Sequence, residues 1–348
     1  MTKGHLMELP VAVYVGEDTL SSLGEMLEEQ SIQGPLSIAT GPNVRKILGK
    51  ALINGLDGYN LAWVNVKEPT QDFVNKVIDN AKDIKAKAIL GFGGGKTIDV
   101  AKKAAYELRL PMISVPTSAS HDGISSPFAS LRDASKPYSF KTRPPTIIAV
   151  DIRVVMSAPE RLMRGGFGDL VAKVTAVKDW ELARDKKGEY FGEYSASLAR
   201  MSAELVIEKA EKIGSKTMDG TRVLIEALIS SGVAAGIAGS SRPCSGSEHL
   251  ISHALELIAP GIGLHGEKTG IATIAIAKLY GLNWNRIADA LKRAGSPVSF
   301  SDLNLTKRQV VDAILTAPSI RPERYTILHE LKLDKEDVTN LVEETGIA

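Results

Sequence analysis

The feature that most constrains this chain is a regular alternation of short apolar runs and amphipathic stretches between residues 11 and 150. Amphipathic segments with apolar residues at helical spacing separate the runs. Strands that alternate with helices form a parallel sheet wound by right-handed crossovers. The pattern therefore predicts a Rossmann-like α/β domain, with strands at 11–15, 35–40, 61–66, 87–91, 112–115 and 146–150 and helices at 19–30, 44–52, 70–85 and 97–108.

After Asp151 the strand-like runs largely disappear and the periodicity becomes helical. We therefore predict an α/β domain over residues 1–158 followed by an all-α domain over residues 159–348. The most apolar helix is interrupted by polar residues and glycine, which favours a buried core helix over a membrane span. The predicted helices of this second domain cover 170–183, 195–213, 223–238, 248–258, 268–280 and 284–294.

Composition excludes several classes of protein. The 42 basic and 41 acidic residues give a formal charge of +1, so no global field favours nucleic acid or an anionic membrane. Cys244 is the only cysteine, which excludes an intramolecular disulfide and multi-cysteine metal sites. Residues 1–10 lack the pattern of a signal peptide. We expect a cytoplasmic protein without stable membrane insertion.

A glycine-rich turn, Gly91-Phe-Gly-Gly-Gly-Lys-Thr-Ile-Asp99, follows a predicted strand and begins a predicted helix. Glycines admit a ligand close to the backbone, and the first turn of a helix favours an anion. The turn departs from the dinucleotide fingerprint at Lys96 and from a strict P-loop at Leu90. We predict a pyrophosphate site here; the alternative is a tight strand–helix turn.

The segment Pro116-Thr-Ser-Ala-Ser-His-Asp-Gly123 follows the next predicted strand. Parallel sheets bind ligands beyond the carboxyl ends of their strands, so this loop and the glycine turn should serve one crevice. Thr117, Ser118 and Ser120 offer hydroxyl groups to a nucleotide, and Asp122 could accept a substrate hydroxyl. Serine-rich and threonine-rich turns are common, so the loop alone is weak evidence.

Three of the six histidines, His249, His253 and His265, fall within a short stretch of the second domain. A capping-box pattern from Ser245 to Glu248 would begin a helix that places His249 and His253 one turn apart. With His265 after a short loop they suit a divalent metal, although scattered polar histidines would look similar. A carboxylate ligand is also expected, and Gly165-Gly-Phe-Gly-Asp169 offers one at the predicted start of a helix.

Taken in order, these motifs resemble the iron/zinc polyol dehydrogenase superfamily, which includes glycerol dehydrogenases and dehydroquinate synthases. The resemblance rests on Gly93-Gly-Gly-Lys-Thr-Ile-Asp99, the Thr117–Gly123 run, Gly165–Asp169, Gly246-Ser-Glu-His249 with His253, and Leu264-His-Gly-Glu267. It covers nearly the whole chain and implies the dehydroquinate synthase-like fold, in which an α/β nucleotide-binding domain precedes a helical domain that binds metal and substrate.

The resemblance also implies site residues. It makes Asp169, His249 and His265 the ligands of one Zn²⁺ per subunit and assigns His253 to the substrate, where spacing alone would pair it with His249. Asp169 and His253 would be catalytic, and substrate would contact Asp122, Asp169 and His253. NAD or NADP would contact Gly94, Gly95, Lys96, Thr97, Ile98, Asp99, Thr117, Ser118, Ala119, Ser120 and Ser126.

The implied reaction is hydride transfer from NADH or NADPH to dihydroxyacetone phosphate, giving sn-glycerol 1-phosphate for archaeal phospholipid backbones. The second strand ends in Ala39-Thr-Gly-Pro-Asn43 without an acid to repel a 2′-phosphate, so we expect both cofactors to serve. Arg132, Lys141 and Arg143 are candidates for the substrate phosphate or, equally, for solvated surface charge. We also expect a homo-oligomer. The alternatives are a glycerol dehydrogenase, a dehydroquinate synthase-like lyase and a non-catalytic binding module.

Overall fold

The computed structural model describes residues 5–132 and 137–348, so residues 1–4 of the segment tested for a signal peptide lie outside it. The chain divides into two compact units, Met1–Ala158 and Pro159–Ala348.

The first unit is built on the predicted six-stranded parallel sheet. Its order is β1-β8-β5-β4-β2-β3, so the direction of winding reverses between β2 and β4. The inner strands are buried along their whole length because helices cover both faces of a parallel sheet. The strands are β1 (Ala12–Gly16), β2 (Leu36–Thr40), β3 (Leu61–Asn65), β4 (Ala88–Gly93), β5 (Met112–Pro116) and β8 (Ile147–Asp151).

The helices of this unit pack apolar stripes on the sheet. In α3, Val74, Val77, Ile78 and Ala81 are buried, which is the face that the helical spacing predicts. The helices are α1 (Leu23–Glu29), α2 (Pro42–Gly55), α3 (Gln71–Asp83), α4 (Gly95–Leu108) and α5 (Ile152–Ser157). The six strands and the winding of the chain confirm the prediction of a Rossmann-like α/β domain.

A hairpin that sequence reasoning missed lies between β5 and β8. Strands β6 (Phe128–Arg132) and β7 (Pro137–Lys141) pair antiparallel, after a short 3-10 helix at Asp122–Ile124. Residues 129–132 alternate buried and exposed, the period of a half-buried strand. The alternation repeats only twice, which is too short for the sequence to predict a strand.

The second unit is helical throughout, as predicted. Its longest helix, α10, is long and apolar enough to span a membrane, but 72% of its most apolar window is buried inside the protein. That burial is typical of a core helix. The helices are α6 (Glu160–Val171), α7 (Lys173–Lys187), α8 (Glu193–Glu208), α9 (Ala210–Gly214), α10 (Met218–Ala238), α11 (Ser247–Ile258), α12 (His265–Leu279), α13 (Trp284–Arg293), α14 (Lys307–Ile320), α15 (Ile327–Leu331) and α16 (Lys335–Thr345), with a 3-10 helix at Phe300–Leu303.

Two local predictions in this unit are wrong. The capping box is absent: Gly246 is the N-cap of α11, and the Glu248 carboxylate accepts a hydrogen bond from its N–H while Ser245 stays outside the helix. Asp169 does not begin a helix either, because the run Gly165–Asp169 lies inside α6 near its carboxyl end. These glycines serve helix packing, as described below, and do not break the helix.

Candidate active site and metal centre

The glycine turn joins β4 to α4. Gly93 has φ +156°, a conformation that L side chains rarely adopt, and Gly94 is the N-cap of α4. Thr97 donates its backbone N–H to Gly94, and Thr117 donates its own to Gly93, so the loop after β5 is tied to the turn. Lys96 is exposed, whereas the side chains of Ile98 and Asp99 are buried.

The loop after β5 lies against this turn. Ser118 is 3% exposed, and its Oγ has no hydrogen-bond partner among the described residues. A Cβ placed on Gly94 would lie 3.2 Å from that oxygen. The hydroxyl therefore lies next to the turn at a position where glycine has no side chain. A buried hydroxyl without a partner is costly, and a ligand that reached the glycine backbone could supply one. The residues present therefore fit a nucleotide pyrophosphate.

Lys102 links the helix to the loop that carries Asp122 and Ser126. Its ammonium group is 1% exposed and donates to the carbonyl oxygens of Gly123 (2.7 Å) and Phe128 (2.6 Å), with Asp99 Oδ1 at 3.4 Å. Burial lowers the pKa of Lys102, partly offset by the charge of Asp99. Burial likewise raises the pKa of Asp99, partly offset by Lys102 and His121.

His121 fills the space above the first residue of α4. Its Nδ1 accepts the backbone N–H of Gly123 at 2.9 Å, and a Cβ on Gly95 would lie 1.8 Å from its Nε2. Asp122 begins the 3-10 helix, and its carbonyl accepts the N–H groups of Ser125 and Ser126. Ala119 and Ser126 are buried, while Ser120 and Asp122 are half-buried. All the predicted cofactor residues thus fall on the turn, the first turn of α4 and one adjoining loop.

Three helices of the second unit bring Asp169, His249 and His265 together. Asp169 Oδ1 lies 3.6 Å from His249 Nε2 and 3.8 Å from His265 Nε2, and all three ligand atoms lie within 4.8 Å of one another. Zinc–ligand distances are about 2.1 Å, so an ion between these atoms could contact the carboxylate and either imidazole. The donor set of one carboxylate and two imidazoles suits zinc or iron.

Neighbouring side chains fix the orientation of these donors. Lys173 Nζ holds Asp169 Oδ2 at 3.0 Å, which leaves Oδ1 for the cluster. Glu248 Oε1 lies 2.8 Å from His249 Nδ1, and Ser252 Oγ lies 3.4 Å from His265 Nδ1, so both imidazoles present Nε2. Burial would raise the pKa of Asp169, but the charge of Lys173 and the two imidazoles hold it well below its usual range.

Glycines allow α6 and α12 to approach closely enough for this arrangement. A Cβ on Gly266 would lie 1.8 Å from the carbonyl oxygen of Gly165, and one on Gly168 would lie 2.2 Å from that of Gly266. The contact sits beside Asp169 on one helix and His265 on the other. The glycine cluster before Asp169 therefore exists for helix packing at the metal centre.

A buried carboxylate on α7 ties the surrounding helices together. Asp179 accepts the backbone N–H of Ser247 (2.6 Å), the hydroxyl of Tyr280 (2.7 Å) and the backbone N–H of Ile327 (2.7 Å). It thereby joins the start of α11, the end of α12 and the start of α15. Burial, and then the charge of Glu248, raise the pKa of Asp179 to about 6.

His253 lies outside the three-ligand cluster, with its ring centroid 5.8 Å from that of His265. Burial lowers its pKa to about 3, and the positive charges of His249, Arg321, Lys268 and Arg324 contribute further. The imidazole is therefore neutral at pH 7, next to several cationic groups.

The basic residues suggested for the substrate phosphate are scattered over the first unit. Arg143 lies 3.3 Å from Glu8 and lines a cavity of about 250 Å³ with Arg109 and Pro111. That cavity is at the amino ends of β5 and β8, the opposite end of the sheet from the glycine turn. Arg132 and Lys141 belong to the β6–β7 hairpin. The strand register puts Arg132 and Lys141 at opposite ends of this hairpin.

Several residues of the site were not predicted, although the sequence contains a pattern that could have identified them. Lys102 follows Asp99 by three residues, and Lys173 follows Asp169 by four, so each pair shares a helix face within an apolar helix. Glu248 directly precedes His249. Nothing in the sequence singles out Asp179, because its three partners come from distant segments.

Comparison with known proteins places this fold in a class. The family model of iron-containing alcohol dehydrogenases matches residues 14–159. A glycerol dehydrogenase structure from Schizosaccharomyces pombe superposes with a TM-score of 0.82 at 19% identity, over 99% of this chain and 91% of that one. A sulfoacetaldehyde reductase from Bifidobacterium kashiwanohense, solved in complex with NAD⁺, gives 0.76 at 18% identity, over 98% and 99%. The fold is the one that glycerol dehydrogenases and iron-containing alcohol dehydrogenases share, as the sequence motifs indicated.

Relatives of similar sequence identify the particular family within this class. The chain is 45% identical over 345 residues to a glycerol-1-phosphate dehydrogenase [NAD(P)⁺] from Sulfurisphaera tokodaii, covering 99% of both proteins. It is 44% identical over 347 residues to the one from Nitrosopumilus maritimus, covering 99% of this chain and 98% of that protein. The chain belongs to the family of NAD(P)-dependent glycerol-1-phosphate dehydrogenases.

Proposed function

We propose that this protein reduces dihydroxyacetone phosphate to sn-glycerol 1-phosphate with NADH or NADPH and one zinc ion per subunit. The observation that carries the proposal is the Asp169, His249 and His265 cluster in a chain whose full-length relatives are named for this activity. The product would serve as the backbone of archaeal phospholipids, and the reaction would take place in the cytoplasm.

When bound, zinc would supply Lewis acidity toward a carbonyl oxygen and the nicotinamide would supply the hydride. Asp169, His249 and His265 would hold the metal, with Lys173 and Glu248 keeping their donor atoms aligned. In the first unit, the residues from Gly94 to Asp99 and from Thr117 to Ser120, with Ser126, would hold the cofactor. The chain's own contribution is orientation and charge.

We assign Asp122 and His253 to the substrate. Asp122 would accept a substrate hydroxyl group and so fix the carbon to be reduced. His253 would contact a second polar group and relay a proton from water at its ring nitrogen; as a neutral imidazole it can both donate and accept. Asp169 would also contact the substrate while it holds the metal.

The test is an assay of NADH and NADPH oxidation by the zinc-loaded protein. We expect turnover with dihydroxyacetone phosphate, much weaker turnover with dihydroxyacetone, and catalytic efficiencies for the two cofactors within a hundredfold of each other. Exhaustive chelation should abolish activity and added zinc should restore it. Equal turnover of both substrates would indicate a glycerol dehydrogenase. Full activity after complete metal removal would contradict a mechanism that depends on a bound metal ion.

We also propose that the protein forms a homo-oligomer. Apolar side chains are exposed at several places on the described chain, and two groups of them lie close together along the chain or on one helix. One is the segment Leu9–Val13, which leads into the edge strand β1, and the other is a stripe on α8 formed by Tyr194, Met201 and Leu205. Exposed apolar groups of this kind are typical of subunit interfaces.

A further inference from the structure

Two guanidinium groups of the helical unit form no ion pair with an acidic side chain among the described residues. Arg324 donates to the carbonyl oxygen of Ser245 (2.6 Å) and to Ser241 Oγ (2.7 Å), and no ion pair of Arg324 or Arg321 falls within 4.0 Å among the described residues. The neighbouring cations differ: Lys268 pairs with Glu256 at 2.6 Å, and Arg242 pairs with Glu189. Arg321 and Arg324 are the cations of this group left without a counter-charge.

Both arginines lie close to α11, the helix that carries the proposed substrate residue His253. Arg324 is bonded to the segment that leads into α11, the helix of His249 and His253. Arg321 is the C-cap of α14, and α14 packs along α11. The positive charges of both act on the His253 imidazole.

The electrostatics of this group favour an anion. Burial, then the charges of Arg321 and Arg242, lower the pKa of Arg324 to about 10, while Glu189 and Glu323 act only from a distance. It stays protonated at pH 7, so two like charges share a half-buried region. Ser247, the first residue of α11, has a fully buried Oγ that finds no hydrogen-bond partner among the described residues. A doubly charged oxyanion would offset the repulsion and accept the free N–H groups of both arginines.

We propose that Arg321 and Arg324 bind a phosphate monoester, the phosphate group of the substrate that His253 contacts. This inference rests on the proposed function, because it takes His253 as a substrate residue. In this proposal, Arg321 and Arg324 take the phosphate-binding role that the sequence suggested for Arg132, Lys141 and Arg143. It also gives the preference for a phosphorylated substrate a physical cause, since an unphosphorylated triose leaves two half-buried cations without a counter-charge.

Arg321→Gln is the main test, because the Arg321 side chain supports no hydrogen bond or ion pair among the described residues. On the zinc-loaded protein we expect the Kd for inorganic phosphate, measured by titration calorimetry, and the KM for dihydroxyacetone phosphate to rise about tenfold to a hundredfold. The efficiency with dihydroxyacetone should change less than about twofold. Arg324→Lys should weaken phosphate binding less than Arg321→Gln does. A lysine ammonium keeps the positive charge but not the planar pair of N–H donors that a guanidinium offers.

Arg308→Gln is the matched control, since Arg308 lies on the same helix with its side chain 91% exposed. It should leave every constant unchanged. Equal losses with both substrates would overturn the proposal, as would an unchanged Kd for inorganic phosphate. A rise confined to the KM for NADPH would assign the arginines to the cofactor's phosphate. If the wild-type protein does not turn over dihydroxyacetone phosphate, the proposed function fails, and the phosphate titration still decides whether the anion site exists.

Discussion

At the scale of single residues, we expect removal of the Lys102 ammonium group to lower both the stability of the fold and the affinity for the cofactor. Lys102→Met would remove the ammonium group that pairs with the buried Asp99 carboxylate and donates to the carbonyl oxygens of Gly123 and Phe128. Breaking a buried ion pair typically costs about 3–5 kcal/mol. We expect a clear fall in Tm and a rise of about tenfold in the KM for NADH, because the loop with Asp122 and Ser126 loses its anchor.

Lys76→Met is the comparison for this variant, because Lys76 forms an exposed pair with Asp72 on α3 and should cost about 1 kcal/mol or less. Adding Asp99→Asn to Lys102→Met removes the unpaired charge and should recover part of the lost stability. An unchanged Tm and KM in Lys102→Met would show that the ammonium is not needed.

At the scale of elements, the contact between α6 and α12 positions two of the proposed metal ligands, Asp169 and His265. Gly266→Ala would place a methyl group 1.8 Å from the Gly165 carbonyl oxygen, so α12 must move away from α6. Overpacking of this kind costs about 1–3 kcal/mol. The shift also separates His265 from Asp169, so we expect zinc affinity, measured by chelator competition, to fall at least tenfold.

Gly49→Ala is the control for that substitution. Gly49 lies inside α2, and a Cβ there would meet only the Arg45 side chain at 3.6 Å. Helix propensity should then make the change neutral or stabilising by up to about 1 kcal/mol. Wild-type zinc affinity in Gly266→Ala would mean that the close approach of the two helices does not position the ligands.

The elements show what could be predicted from sequence. The six parallel strands and the glycine turn were predictable because each has a local pattern of apolar spacing or repeated glycine. The hairpin β6–β7 and the helix containing Asp169 were not. Glycines usually end helices, and only the partner helix reveals why α6 tolerates them. The role of Asp179 depends on three distant partners that no local pattern encodes.

For the whole molecule, the exposed apolar residues predict assembly. Leu9 is 51% exposed and Val11 69%, beside the open edge of the sheet at β1. We expect light scattering to give a mass of at least twice 37.2 kDa. Leu9→Lys combined with Val11→Lys should lower that mass if this segment forms the interface, whereas Ile47→Lys, an exposed residue on α2, should not. A wild-type mass of one chain would contradict the proposed oligomer.

The proposed metal centre has a consequence for how the protein is made. Its candidate ligands lie at residues 169, 249 and 265, all after the first unit ends at residue 158. Domains generally fold in order during synthesis, so the α/β unit can fold on the ribosome before any ligand has been added to the chain. If these three residues hold the metal, the site cannot close until His265 has been made, and metal loading would belong to the last stage of biogenesis. A cell short of zinc would then accumulate chains whose α/β unit is folded and whose helical unit still lacks its ion.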